Sequence, residues 1–207
     1  MRSTDPVREA MLSLANHLDG LSEAQWDTAS LCEEWRVRDV LAHTTAGAEG
    51  AFGASAIIGG LLRHGFDYNR WVAIDGRTRG EQDPTAVLAA FRTAAERPRK
   101  ARASEQIRAL AHVLIHGQDI CRPLGIERAL PESDLAIVAD FTATSFIFRA
   151  RRRISDVRLT ATDIKWSLGD GPEVSGPAEA LVMMMAGRPN ALDDLSGPGI
   201  GALRRAR

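Results

Sequence analysis

The hydrophobic pattern of this chain changes its period close to residue 153, and this change constrains the fold more than any other feature. Before it, apolar residues recur at three- and four-residue spacing, which is typical of amphipathic helices. After it, residues 157–162 and 164–168 alternate as strands do, G-D-G-P at 169–172 is a strong turn signal, and 173–175 fits a third short strand. The pattern predicts a mainly α protein, with an antiparallel helical bundle over residues 1–153 and a small α/β module over 154–207.

Local signals place the elements of the predicted bundle. Asp5–Pro6 and Asp83–Pro84 each combine an N-cap residue with proline at the first helical position, and S-E-A-Q at 22–25 resembles a capping box. The helices are predicted at about residues 6–18, 37–52, 84–97, 104–118 and 131–147. Residues 63–83 are polar and lack a clear period, so they are predicted to be irregular.

Composition excludes several classes of function. The chain has 207 residues, 44% of them hydrophobic, and a net charge of -1, which suits one good core and argues against nucleic acid as a partner. No apolar run approaches the roughly 20 residues that a membrane span needs, and the N-terminus carries no signal-peptide pattern. Its two cysteines form no CxxC motif and no disulfide framework, which favours the reducing cytoplasm.

The strongest chemical signal is a pair of histidines, His112 and His116, in the fourth predicted helix. Residues four apart lie on one face of a helix, with Cβ atoms about 6 Å apart, so both imidazoles can reach one metal ion. A third histidine, His43, lies about seventy residues upstream on another core-facing helix. Three neutral imidazoles with one open position form a recognised type of catalytic zinc site.

The same pair has a simpler interpretation as two neutral core histidines that are each hydrogen-bonded. The presence of His43 on a separate helix favours the ligand interpretation, since helical bundles build metal sites in their interiors. His17 and His64 are expected on the surface, the first at the end of a helix and the second in a loop.

Other reactive residues give weaker signals. Cys32 is interpreted as structural because the adjacent Glu33 and Glu34 would raise the pKa of its thiol. Cys121 is ambiguous, since Arg122 adjoins it near the end of the predicted helix, but a structural role is favoured for it as well. Asp119 is expected either to orient a ligand histidine from the second coordination shell or to cap a neighbouring segment.

Further polar and aromatic residues are ambiguous. Asp39, four residues before His43, could orient a ligand histidine in the same way as Asp119 but is expected to be an exposed acid. Trp26, Trp35 and Trp166 are expected to serve in packing. Arg122 and Arg188 are candidates to bind carboxylates of a substrate or thiol cofactor, or to form structural ion pairs.

Several stretches together resemble a known family. They are S-L-C-E-E-W-R-V-R-D-V-L-A-H at 30–43, H-G-Q-D-I-C-R-P-L-G-I at 116–126, the tail R-L-T-A-T-D-I-K-W-S-L-G-D-G-P-E-V-S-G-P-A-E-A-L at 158–181, and A-G-R-P at 186–189. Together with Trp26 and Asp27, they resemble the mycothiol-dependent maleylpyruvate isomerase family of actinobacteria, within the DinB-like superfamily. The resemblance extends over nearly the whole chain.

The resemblance implies a DinB-like four-helix bundle with a divalent metal, usually zinc, held by His43, His112 and His116. In the isomerase itself the first position of the later pair is a glutamate, whereas this chain has His112. A set of three histidines is more similar to the wider DinB-like group, which includes thiol transferases. Since imidazole also accepts nickel, iron and manganese, the metal is not fixed by these ligands.

The implied chemistry is activation of a low-molecular-weight thiol. Three neutral ligands leave the full charge of a dication in place, which should lower the pKa of a bound thiol more than a site with a carboxylate ligand would. Mycothiol, held as thiolate, would then attack a small electrophilic molecule in an isomerisation or a transfer. The alternative is a non-catalytic bundle that binds a metal or a small molecule, and in either case the protein is expected to be a monomer or a homodimer.

Overall fold

The computed structural model describes residues 5–51, 54–98 and 101–205. It is mainly helical with one small sheet, as the sequence predicts. The helices in chain order are α1 (Pro6–His17), α2 (Glu23–Trp26), α3 (Val37–Ala48), α4 (Ala54–Arg63), α5 (Tyr68–Gly80), α6 (Pro84–Glu96), α7 (Ala103–Cys121), α8 (Glu132–Thr144), α9 (Ala150–Ile154), α10 (Ala178–Met185) and α11 (Ile200–Arg205). The strands are β1 (Arg158–Ala161), β2 (Ser167–Leu168) and β3 (Glu173–Gly176).

The described residues group into two compact units. The first contains residues up to 102 together with 112–128, and the second contains 103–111 together with 129 onward. Helix α7 therefore contributes its first nine residues to the second unit and the rest to the first. The boundary between a bundle at 1–153 and a module at 154–207 remains a prediction.

In the first unit, α1 packs against α6, and α3 packs against both α5 and α6. The predicted helix starts are confirmed. Asp5 and Asp83 cap α1 and α6 with their carboxylates, and Ser22 forms a capping box with Gln25. Each cap satisfies backbone N–H groups that the first turn of a helix leaves unpaired.

Two predictions for this unit are wrong. Residues 63–83, predicted to be irregular, contain α5, which begins after an N-cap by Asp67. The prediction missed it because α5 lacks an apolar stripe and packs partly through glycines: a Cβ at Gly76 would lie 2.3 Å from the ring of Trp35. The helix predicted to reach residue 52 ends at Ala48, since Gly50 adopts φ +80° and reverses the chain. Phe52, which was assigned to its inner stripe, lies outside the described residues.

In the second unit, the sheet has the order β2-β1-β3, with β1 antiparallel to β2 and parallel to β3. Leu159 and Ala161 of β1 are buried, whereas Arg158 points outward, so the alternation that predicted the strand reflects one covered face. Helix α10 packs against β1, α8 and a 3-10 turn at Pro189–Asp194. The strand predicted at 164–168 is limited to Ser167–Leu168.

The fifth predicted helix is also shorter than expected. Helix α8 ends at Thr144, and Ser145 has an extended backbone. Phe146 and Ile147, predicted to lie on its inner stripe, are 87% and 57% exposed.

Within the described parts of the chain, no helix is both long and apolar enough to cross a membrane.

Candidate metal centre

The three histidines singled out by the sequence lie together in the first unit. His43 comes from the middle of α3, and His112 and His116 come from successive turns of α7. The ring centroids are 5.2 Å apart for His43 and His112, 5.3 Å for His43 and His116, and 4.7 Å for His112 and His116. One nitrogen of each ring lies within 4.8 Å of the others, which is close enough for a single cation to be held among them after small ring rotations.

Burial keeps two of these rings neutral. Burial, with smaller contributions from the nearby His116 and Arg79, lowers the pKa of His43 to about 3. Burial also lowers the pKa of His112 well below its usual value, assisted by its two histidine neighbours and opposed by Asp119. Since metal ions bind imidazole in its neutral form, the environment of these rings leaves them in the state that a metal ligand requires.

The carboxylate of Asp119 orients His116. It is fully buried, and its Oδ2 lies 2.9 Å from Nδ1 of His116, one helical turn earlier. With Nδ1–H donating to this carboxylate, Nε2 of His116 keeps its lone pair for a metal. This arrangement of carboxylate and histidine is common around bound zinc.

One loop, residues 30–36, contacts both helices that carry the histidines. The indole of Trp35 packs on the ring of His43 at a centroid distance of 4.9 Å, and its Nε1 donates to the carbonyl of Ala73 in α5. Sγ of Cys32 lies 3.0 Å from Oδ2 of Asp119 and 3.7 Å from Nδ1 of His116. From the sequence, Cys32 is predicted to be structural and Trp35 to serve in packing, and neither prediction connects these residues with the site.

A cation and an ion-pair network border the site. Arg79 of α5 lies near enough to His43 to lower its pKa, and its Nε forms an ion pair with Asp75 at 2.6 Å. Asp39 of α3, expected to be exposed, is instead 1% exposed and accepts hydrogen bonds from the backbone and guanidinium of Arg36. The prediction failed because the backbone of α5 covers Asp39 at Gly80, where a Cβ would lie 1.8 Å from its Oδ1.

The remaining predicted site residues are more dispersed. Arg122 follows α7 in the first unit and is half-buried. Arg188 belongs to the second unit, where its Nη1 donates to the carbonyl of Ala186. Nδ1 of His17 donates to the carbonyl of Ser13 within α1, and His64 follows α4. A carboxylate-binding role for either arginine remains a prediction.

The donor set fits a divalent metal. Three imidazoles, two of them held neutral by burial, face one another, and the third has its ring orientation set by a buried carboxylate. Cys32, His116 and Asp119 form a second close group of ligand-type atoms beside them. Fold and site together define a helical-bundle protein with a candidate tri-histidine metal centre.

Comparison with known proteins identifies the family. Residues 7–113 match the mycothiol maleylpyruvate isomerase N-terminal domain, and the chain belongs to this family. Among solved structures, the mycothiol-dependent maleylpyruvate isomerase superposes with a TM-score of 0.60 and a histidine-to-alanine mutant of it with 0.59. Each is 16% identical in sequence, and each comparison covers 93% of this chain and 90% of the other.

At this identity the structural likeness establishes the fold. It confirms the predicted DinB-like helical bundle with a small α/β portion. No curated protein matches the chain.

Proposed function

We propose that this protein is a metal-dependent enzyme that uses mycothiol to act on a small electrophilic substrate, with isomerisation as the favoured reaction. Membership of the mycothiol maleylpyruvate isomerase family supports the thiol and the reaction class. The observation that carries the metal is the convergence of His43, His112 and His116 within 4.8 Å. We propose these three residues as its ligands and zinc as the first metal to test.

The residues of the chain provide a defined setting for this chemistry. A divalent cation held by three neutral imidazoles would supply positive charge that favours the thiolate form of a bound thiol. Trp35 covers one face of the His43 ring, and the Asp119 carboxylate accepts a hydrogen bond from Nδ1–H of His116. The buried surroundings strengthen electrostatic interactions inside the site, because the local dielectric is low.

The proposed reaction has two variants that share their first step. The sulfur of mycothiol forms a bond to an electrophilic carbon of the substrate. In an isomerisation, the thiolate adds to a carbon–carbon double bond conjugated to a carbonyl, and the π electrons of the double bond move onto the carbonyl oxygen. After rotation about the carbon–carbon single bond that results, these electrons return to re-form the double bond, the carbon–sulfur bond breaks, and the thiolate leaves unchanged. In a transfer, a leaving group departs instead and the thioether remains as product.

The first test is metal content. The native protein, purified without chelators, is expected to hold about one equivalent of zinc per chain. Single alanine variants at His43, His112 and His116 are expected to lose it, whereas the matched variant His17→Ala is expected to retain it. Full metal occupancy in a triple alanine variant would contradict the proposal.

The second test separates an enzyme from a metal-binding bundle. X-ray absorption at the zinc edge is measured with and without mycothiol, and a new sulfur neighbour at about 2.3 Å is expected. Turnover is then measured with maleylpyruvate and, in parallel, with an alkyl halide. Consumption of maleylpyruvate without loss of thiol indicates isomerisation, and stoichiometric loss of thiol indicates transfer. A bound metal with no sulfur neighbour and no turnover would favour the non-catalytic alternative.

A further inference from the structure

Cys32 lies beside the candidate metal centre but is not among its proposed ligands. Its Sγ is 3.0 Å from Oδ2 of Asp119, which is also the oxygen that lies 2.9 Å from Nδ1 of His116. A carboxylate oxygen has two lone pairs, so Oδ2 of Asp119 can accept from the thiol and from the imidazole at once. The three residues thus form a hydrogen-bonded chain that ends on a proposed ligand.

The position of Cys32 is fixed by the loop that carries it. The backbone N–H of Cys32 donates to Oγ of Ser30, and its carbonyl accepts from the N–H of Trp35. The neighbouring Leu31 donates its backbone N–H to the carbonyl of Asp119 itself, at 3.1 Å. The loop is therefore attached to α7 at the same residue whose side chain the thiol contacts.

The burial of Asp119 makes its donors important. The side chain is 0% exposed, so donors within the protein, rather than bulk water, determine how its carboxylate is turned. A buried carboxylate that loses one donor is free to rotate toward its other partners, and the direction of its bond to His116 then changes.

The distances favour hydrogen bonds over a second cation held by Cys32, His116 and Asp119. Bonds of about 2.0–2.3 Å to one tetrahedral metal would place ligand atoms roughly 3.3–3.7 Å apart. The separations of 3.0 Å for sulfur and oxygen and 2.9 Å for nitrogen and oxygen are shorter and match hydrogen bonds.

We propose that Cys32 is a positioning residue of the metal centre: its thiol holds the Asp119 carboxylate in the orientation that fixes the tautomer and direction of His116. The metal part of this inference rests on the proposed function. Replacing residues that orient a metal ligand commonly weakens metal affinity by about 10- to 100-fold. Cys32 acts one hydrogen bond further away, so a smaller effect of about 3- to 10-fold is expected for Cys32→Ala.

The test measures zinc affinity by chelator competition for the native protein and five variants. These are Cys32→Ala, Cys32→Ser, Asp119→Asn, the double variant Cys32→Ala/Asp119→Asn, and Cys121→Ala as a control that removes the other thiol. We expect Cys32→Ser to stay within about twofold of the native affinity because the hydroxyl remains a donor. Cys121→Ala is expected to bind zinc like the native protein.

The double variant distinguishes positioning from simple packing. If Cys32 acts through Asp119, its removal has no further effect once Asp119→Asn is present, and the double variant matches Asp119→Asn. Independent losses that multiply would overturn the proposal, as would native affinity in Cys32→Ala. Loss of a second equivalent of zinc in Cys32→Ala would also overturn it, because the thiol would then be a ligand.

A second readout needs no metal. In the metal-free protein, histidine ring nitrogen NMR reports the tautomer of His116 and the strength of its Nδ1–H bond. Cys32→Ala is expected to shift the His116 ring signals, Cys32→Ser to restore them, and Cys121→Ala to leave them unchanged. Unchanged His116 signals in Cys32→Ala would overturn the proposal even if the zinc affinity of that variant falls. If the native protein binds no zinc but Cys32→Ala still shifts the His116 signals, the proposed metal-dependent function is contradicted. The hydrogen-bonded chain from Cys32 to His116 is then still supported.

Discussion

Helices α3 and α10 are both buried along most of their length, but they bury different kinds of side chain. In α10, the buried residues are all apolar, from Ala178 to Met185. In α3, buried apolar residues alternate with four polar ones: Asp39, His43, Thr44 and Thr45. Helix α3 belongs to the unit with the histidines, and α10 belongs to the unit with the sheet.

The polar groups of α3 are largely matched to partners. The hydroxyls of Thr44 and Thr45 donate to carbonyls four residues earlier, and Asp39 accepts from Arg36, whose pKa it raises. Burying such groups without partners would be costly. This difference in buried side chains indicates that α10 serves mainly to stabilise its unit. In α3, polar residues occupy part of the buried face, and one of them is His43.

The largest expected effect on stability comes from opening a cavity in the apolar helix. Leu181 of α10 is fully buried, so Leu181→Ala should lower the free energy of unfolding by about 2–5 kcal/mol. The same change at Leu62, which is 63% exposed, should cost less than about 0.5 kcal/mol. Urea unfolding of both variants measures this. If both variants lose a similarly small amount of unfolding free energy, α10 is not a stabilising core of its unit.

The polar helix should instead respond to acid. His43 has a folded-state pKa of about 3, below its ordinary value of 6.5. Between these values the unfolded chain binds a proton that the folded protein excludes, so the free energy of unfolding falls as the pH drops below 6.5. The loss from His43 is about 1.4 kcal/mol per pH unit in this range, and His112 acts in the same direction.

Urea unfolding of the metal-free protein at several pH values between 7.5 and 4.5 measures this loss. In His43→Gln, the free energy of unfolding should depend less steeply on pH, by the equivalent of close to one proton taken up on unfolding, because the titrating group is gone. An identical pH dependence in the two proteins would show that the ring is not held neutral by the fold.

A third prediction concerns the close approach of α5 to α3. A Cβ at Gly80 would lie 1.8 Å from Oδ1 and 2.9 Å from Cα of Asp39, so Gly80→Ala should destabilise by about 1–3 kcal/mol. Gly59 in α4 has no atom within 4 Å of the corresponding position. There, alanine should be neutral or stabilising by up to about 1 kcal/mol, because it favours a helix. Thermal unfolding of the two variants gives the comparison, and equal melting temperatures would contradict the close contact.

The smallest expected effect is at Phe146 in the second unit. Its side chain is 87% exposed, so Phe146→Ala should change stability by no more than about 0.5 kcal/mol. The same substitution at Phe91, fully buried in α6, should lower the free energy of unfolding by an amount comparable to that for Leu181→Ala. A large loss at Phe146 in urea unfolding would mean that it is covered in solution and that the apolar interior of its unit extends beyond α10.

The elements that could be predicted are those whose signals are local. The caps at Asp5, Ser22 and Asp83 and the alternation in β1 depend on neighbours a few residues apart, and the structure contains all of them. Helix α5 was missed because it packs through contacts with residues about 40 positions away in the chain, such as that between Gly76 and Trp35. When a helix packs through such contacts and has no apolar stripe, its sequence shows no periodicity that predicts it.

The candidate site divides in a similar way. The four-residue spacing of His112 and His116 follows from helix geometry. His43 was identified by its place on a second core-facing helix, and the resemblance to the family supported it as a ligand. Cys32, Trp35 and Arg79 could not be assigned to the site from the sequence, because loop residues and a helix without an apolar face have no periodicity that fixes where their side chains point. The position of Cys32 in the same motif as His43, S-L-C-E-E-W-R-V-R-D-V-L-A-H, was the available signal.

By itself, the sequence determined the class of fold, the helix starts and the pair of histidines on one helical face, because hydrogen bonding and side-chain period within a segment act over short distances along the chain. Only the tertiary structure decided that His43 meets that pair, that Asp39 is buried and that the thiol of Cys32 reaches Asp119. These contacts join residues far apart in the chain, and they depend on how whole helices pack and on where glycine permits two backbones to approach.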